Sequence, residues 1–139
     1  MTDHASGSAR VLIVEDEPMI GRILEHKLRR EGHAVTWVRS ALEAEESLVA
    51  APVAVALIDA TLERDGIDLG RSLVAAGALQ ADSWLALVEH RDQHAQQRAR
   101  DAGAAATVLK PFKPTQVAAT VAAVIDAQTA AGAGAGTQR

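Results

Sequence analysis

Apolar residues along the chain fall into short unbroken runs, and these alternate with longer stretches in which apolar positions recur at helical spacing. VLIV at 11–14 is the first run, and after it Ile20, Ile23, Leu24 and Leu28 lie three to four apart until Gly32 stops the pattern. HAVTWV at 33–38, VAVALI at 53–58, WLALV at 84–88 and ATVL at 106–109 are the further runs. Between and after them, SALEAEESLVA, GIDLGRSLVAAG, DQHAQQRARDAG and PTQVAATVAAVIDAQ read as helices. Ser40 is the expected N-cap of the second helix, with Glu43 at capping-box spacing, and Pro114 opens the fifth. Five strands and five helices in strict alternation predict a parallel sheet with helices on both faces, because parallel neighbours need a crossover. The near-continuous apolar runs agree, since such strands are buried on both sides. Residues 1–9 and the Gly/Ala-rich 129–139 read as flexible segments flanking a folded body at 10–128.

At 139 residues, 48% apolar and 23% charged, the chain has the composition of one soluble domain. The net charge is −4 and the basic residues are spread out, which argues against nucleic acid as a partner. Absence of cysteine excludes disulfides and thiolate metal sites. MTDHASGSAR lacks the features of a signal peptide, and no run approaches the ~18 apolar residues of a membrane span, so a cytoplasmic location is expected. The aromatics are Trp37, Trp84 and Phe112, leaving the core to aliphatic residues and alanine; both tryptophans are expected to pack in the core or at the sheet edge.

Parallel strands end on one edge, where open α/β sheets bind ligands. The first strand runs into Glu15 and Asp16, the third into Asp59 and the fifth into Lys110. Isolated acids at strand ends are common as solvated loop residues. A set of them is different, since carboxylates ~4 Å apart repel by roughly 4 kcal/mol at an effective dielectric near 20. That cost is offset if the set binds a hard cation such as Mg²⁺ with Lys110 nearby. Metal and ammonium together suit phosphoryl oxygens, and a carboxylate can attack phosphorus to form an acyl phosphate. Asp59, alone at its strand tip, is the candidate nucleophile.

VLIVEDEP at 11–18, the strand ending in Asp59, and AGAAATVLKPF at 102–112 together resemble a response-regulator receiver domain of two-component signalling, over roughly residues 10–127. The resemblance implies a flavodoxin-like (CheY-like) doubly wound five-stranded parallel sheet of order 2-1-3-4-5 with five helices. It implies that Asp16, helped by Glu15, holds Mg²⁺ together with Asp59 and the Thr61 carbonyl. Asp59 then accepts a phosphoryl group from a histidine kinase or histidine phosphotransfer protein, and Lys110 pairs first with Asp59 and then with the phosphoryl oxygens. It implies a signalling module rather than an enzyme, here a standalone one that contacts an unidentified downstream protein or acts as a phosphate sink.

Departures from the family pattern concentrate in the switch. The usual Ser or Thr at the end of the fourth strand is Val88, which has no hydroxyl for a phosphoryl oxygen. Such a bond is worth ~1.5 to 3 kcal/mol, so its loss reduces the bias toward an active state roughly 10- to 150-fold if that bond carries it. The next position, usually small, is Glu89, which either reaches Lys110 or the phosphate site, or points to solvent. The usual aromatic of the fifth strand is Thr107. The loop ATLERDG after Asp59 is one residue short and has Glu63 where a proline is more common. The alternative is therefore a receiver-like binding module that works without phosphorylation.

His90 and His94 are four apart, a metal-chelating spacing on a helix, but read better as a solvated face; His90 lies where receivers tune acyl-phosphate lifetime. His26 and His33 read as surface residues. Val117, Val121, Val124 and Ile125 should face the sheet, and a homodimer through the fourth helix, fifth strand and fifth helix is a further expectation. A phosphohydrolase would want an acid in place of Thr61, and a flavin carrier a phosphate-cradling loop in place of EDEP; both fit poorly.

Overall fold

The computed structural model describes residues 8–137. Each apolar run becomes a strand and each periodic stretch a helix: β1 (Arg10–Val14), α1 (Pro18–Arg30), β2 (Ala34–Val38), α2 (Ala41–Ala50), β3 (Val55–Asp59), α3 (Gly66–Ala75), β4 (Trp84–Glu89), α4 (Gln93–Asp101), β5 (Ala106–Lys110) and α5 (Pro114–Thr137). The strands form one sheet in the order β2-β1-β3-β4-β5, every pair parallel. This is the flavodoxin-like arrangement of five strands and five helices expected above.

Successive strand residues point to opposite faces, so the central strands β1, β3 and β4 each feed two cores. Leu12, Val14, Ala56, Ile58, Trp84, Ala86 and Val88 pack beneath α2, α3 and α4. Val11, Ile13, Val55, Leu57, Leu85, Leu87 and Val108 pack beneath α1 and α5, the latter through Val117, Val121, Val124 and Ile125. Trp84 is fully buried, and Gly70 makes room for it: a Cβ at residue 70 would lie 2.6 Å from the ring.

Helix ends follow local chemistry. Ser40 Oγ accepts from the Glu43 N–H at 3.1 Å, while the Glu43 carboxylate accepts from the Arg39 N–H at 2.8 Å, one residue before the usual capping-box donor. Gly32 and Gly103, at φ 95° and 94°, take the left-handed turn that ends α1 and α4.

The last helix runs on to Thr137, past the point where a flexible tail was expected. Its docked portion has already met the cost of nucleation, and alanine has the highest helix propensity, which offsets the intervening glycines. Residues 1–7 of the expected N-terminal flexible segment, and residues 138 and 139, lie outside the described residues. No helix among the described residues is long and apolar enough to cross a membrane.

His33 is 7% exposed rather than a surface residue, because the entering chain covers it. Its Nδ1 accepts from the Ala9 N–H at 3.2 Å, and Ser8 Oγ donates to the Gly32 carbonyl at 2.8 Å. Burial lowers the His33 pKa below its ordinary 6.5, outweighing the nearby Glu31.

Two stability predictions result. At an open helical position glycine to alanine stabilises by up to ~1 kcal/mol, but Gly70→Ala should destabilise by about 1–3 kcal/mol in urea unfolding, because the buried Trp84 ring cannot retreat. Since neutral His33 is the folded form, the unfolded chain takes up a proton first as pH falls. Stability should therefore drop as pH passes down through 6.5 toward the lower folded value, and this increment should vanish in His33→Gln when urea midpoints are compared across that window.

Candidate functional site

Strand polarity brings Glu15, Asp59 and Lys110 to one edge, and strand order decides their distances. β1 and β3 are neighbours with Val14 opposite Ile58, so the residues that follow are side by side. β4 separates Asp59 from Lys110; Leu87 lies opposite Asp59 and Glu89 opposite Lys110. A cavity of about 590 Å³ opens there, with Glu15, Asp16, Asp59, Thr61, Leu87, Glu89 and Lys110 on its walls. A larger groove of about 820 Å³ lies at the opposite sheet edge beside α5, but alanines dominate its walls and Asp82 is its one ionisable residue.

Asp59 is not at the water boundary that its strand-end position suggests: it is 2% exposed, and Glu15 is 1% exposed. The Asp59 Oδ2 accepts directly from the Lys110 ammonium, and its Oδ1 accepts from the Thr61 N–H at 2.7 Å. Lys110 Nζ also lies 3.8 Å from Glu15 Oε1. Glu15 Oε2 accepts from the Glu17 N–H at 3.1 Å, but Oε1 is buried with no hydrogen-bond partner.

These contacts set the charges. Burial raises the Glu15 pKa most, the hydrogen bond and negative charge of Asp59 raise it further, and together they push it up to about 8. Burial alone would lower the Lys110 pKa, but the bond to Asp59 and the charges of Asp59, Glu15 and Glu89 outweigh it and raise it. A proton on Glu15 leaves one carboxylate facing one ammonium, a balance that a site of low dielectric favours.

The other expected residues divide. Asp16 is exposed at the rim, and among the described residues no three His, Cys, Asp or Glu side chains are already gathered as a metal cage. The set of strand-end acids is thus a buried pair, Glu15 and Asp59, with Asp16 outside it. Glu89 ends β4 opposite Lys110, exposed at the cavity mouth and without an ion pair among the described residues. Val88 is 2% exposed in the core beneath α2–α4 and is not on the cavity wall; Leu87 takes that place, because neighbouring strand residues face opposite ways. Thr107, half-buried, sits opposite Ala86 on β5. His94 is exposed, and His90 is engaged elsewhere: its ring Nδ1 lies 3.0 Å from the Lys110 carbonyl, to which its backbone N–H also donates.

Several residues shape the site through contacts that the sequence reading did not assign. Gly66 lets α3 begin directly against the Asp59 carbonyl, which any Cβ would strike. Glu63, in the shortened loop, accepts from the Ala41 N–H at 3.0 Å and so ties that loop to the start of α2. Asp65 caps α3 through the Ile67 and Asp68 N–H groups and pairs with Arg98 of α4 at 2.7 Å. A glycine and acids in a loop look alike whether or not they hold it.

Known proteins share this pattern. A family model for the response regulator receiver domain matches residues 11–122. Response regulator protein PmrA of Pseudomonas aeruginosa is 33% identical over 117 residues, 83% of this chain and 52% of that protein. Transcriptional regulatory protein PdtaR of Mycobacterium tuberculosis is 36% identical over 107 residues, 74% of this chain and 50% of that protein. The chain thus spans about half the length of these curated relatives. Among solved structures, the signal receiver domain of a signal transduction histidine kinase from Syntrophus aciditrophicus superposes with a TM-score of 0.77 at 28% identity, covering 86% of this chain and 91% of that one. With the sheet order, the strand-end carboxylates and the lysine in place, the chain belongs to the response regulator receiver domain family.

Proposed function

We propose that Asp59 is a phosphoacceptor: it takes a phosphoryl group from a phosphohistidine on a histidine kinase or histidine phosphotransfer protein, and the modified domain signals through contact with another protein. The observation that carries this reading is the buried Asp59 carboxylate held between the Lys110 ammonium and the Thr61 N–H. An Asp59 oxygen forms the new O–P bond as the N–P bond of the donor breaks, its electron pair returning to the imidazole. Thr61 fixes the rotation of the carboxylate, and Lys110 shifts its donors to the phosphoryl oxygens as charge moves there.

The donor set fits a hard divalent cation. Every candidate ligand is oxygen, Glu15 Oε1 is buried without a partner, and Mg²⁺ ordinarily uses one or two carboxylates with water rather than a closed protein cage. Glu15, Asp16, Asp59 and the Thr61 carbonyl would hold it, and when bound it neutralises phosphoryl oxygens. Met19 and Ile23 of α1, 72% and 42% exposed and just beyond the cavity-lining Pro18, offer apolar purchase to the donor protein.

Val88, locked in the core without a hydroxyl, supports a second reading in which partner binding is independent of phosphorylation. Beryllofluoride, a phosphoryl mimic, separates the two: a change in backbone NMR shifts beyond the cavity favours the first, and a change confined to its walls the second.

Radiolabelled acetyl phosphate should label the protein only with Mg²⁺ present, and Asp59→Asn should abolish the label; undiminished label in that variant would refute the reading. Because Glu15 must lose a proton to serve the cation, Mg²⁺ affinity should rise with pH, by at most about tenfold per unit, up to about 8 and then level off. Glu15→Gln should flatten that profile in calorimetric titrations.

A further inference from the structure

The acidic loop after β1 is anchored by two consecutive residues at the end of β2. The Glu15 N–H donates to the Val38 carbonyl at 3.0 Å. Its carbonyl accepts from the Trp37 indole Nε1 at 2.9 Å. Among the described residues, no other side chain donates to the main chain of residues 15–17.

The indole reaches that carbonyl because α1 carries Gly21 at the point of contact, where a Cβ would run into the ring at Nε1 and the adjoining carbons. Arg39 lies over the same ring, 5.0 Å from its centroid, and adds a cation–π contact. Packing alone would be served by any large aromatic. The N–H is what an indole adds, and here it meets the peptide unit that joins Glu15 to Asp16. That unit is planar, so holding its oxygen also fixes the Asp16 N–H and the direction in which Asp16 leaves the main chain.

We propose that Trp37 is a positioning residue for the cation site: its indole N–H sets the Glu15–Asp16 peptide plane and thereby the affinity of these two acids for a divalent ion. The proposal rests on the cation-binding reading above and assigns Trp37 a role that neither its type nor its place in the sheet requires. It also makes the ring a reporter. Trp84 is fully buried beneath the helices of the other face, so in Trp84→Phe the remaining emission comes from a ring bonded to the loop that ligates the ion.

Calorimetric titration of the full chain with Mg²⁺ tests this. Trp37→Phe keeps an aromatic ring at that position but removes the donor together with one ring of the indole, so Mg²⁺ should bind about three- to tenfold more weakly while the chain still unfolds cooperatively in urea. Trp84→Phe should show a saturable change in emission over the same Mg²⁺ range as the heat. Binding by Trp37→Phe within about twofold of the unsubstituted chain overturns the proposal and leaves the cation site intact. If Trp37→Phe does not fold, the emission of Trp84→Phe decides, and a flat signal through calorimetric saturation overturns it. Absence of any Mg²⁺ heat from the unsubstituted chain overturns the cation reading and this proposal with it.

Discussion

Two buried carboxyl groups share one ammonium at the floor of an open cavity, and the geometry of this sheet edge answers to that charge balance. Asp59 and Glu15 are buried, while Lys110 reaches across β4 to contact the first and approach the second. Uncompensated charge in such a place costs several kcal/mol, so one acid pairs with the lysine and the other retains its proton toward about pH 8. Glu15 Oε1 is left buried without a hydrogen-bond partner.

The sheet supports this cluster because its register puts β4 between Asp59 and Lys110. Leu87 lies opposite Asp59 and provides an apolar floor over which the lysine stem can run. Around it, each loop is secured from another element: the acidic loop by Val38 and Trp37, the loop after Asp59 by Ala41, the start of α3 by its own Asp65 and by Arg98. A site assembled in this way keeps its acceptor groups oriented by the fold itself.

The unusual residues at the switch positions lie outside the hydrogen bonds that hold Asp59. Val88 faces the core beneath α2–α4, Glu89 stands in solvent at the mouth, and Thr107 lies half-buried on the edge strand. None displaces a group that holds Asp59. The groups that hold Asp59 and the atypical positions are thus separate parts of the molecule.

Much of the fold was legible in the order of residues. Strand and helix are local consequences of periodicity, alternation then requires a parallel sheet, and parallel polarity puts Glu15, Asp59 and Lys110 at one edge whatever the details of packing. Only the tertiary structure decided which acid turns inward, that Asp59 is buried, that Val88 is off the cavity wall, that His33 is covered, and that helix α5 continues to Thr137. It also supplied the restraints, since Trp37 meets Glu15 and Glu63 meets Ala41 across 22 residues and Lys110 meets Asp59 across 51. Periodicity reports which face a residue is on; it carries no information about which distant group waits there, because that is settled by how separate elements pack.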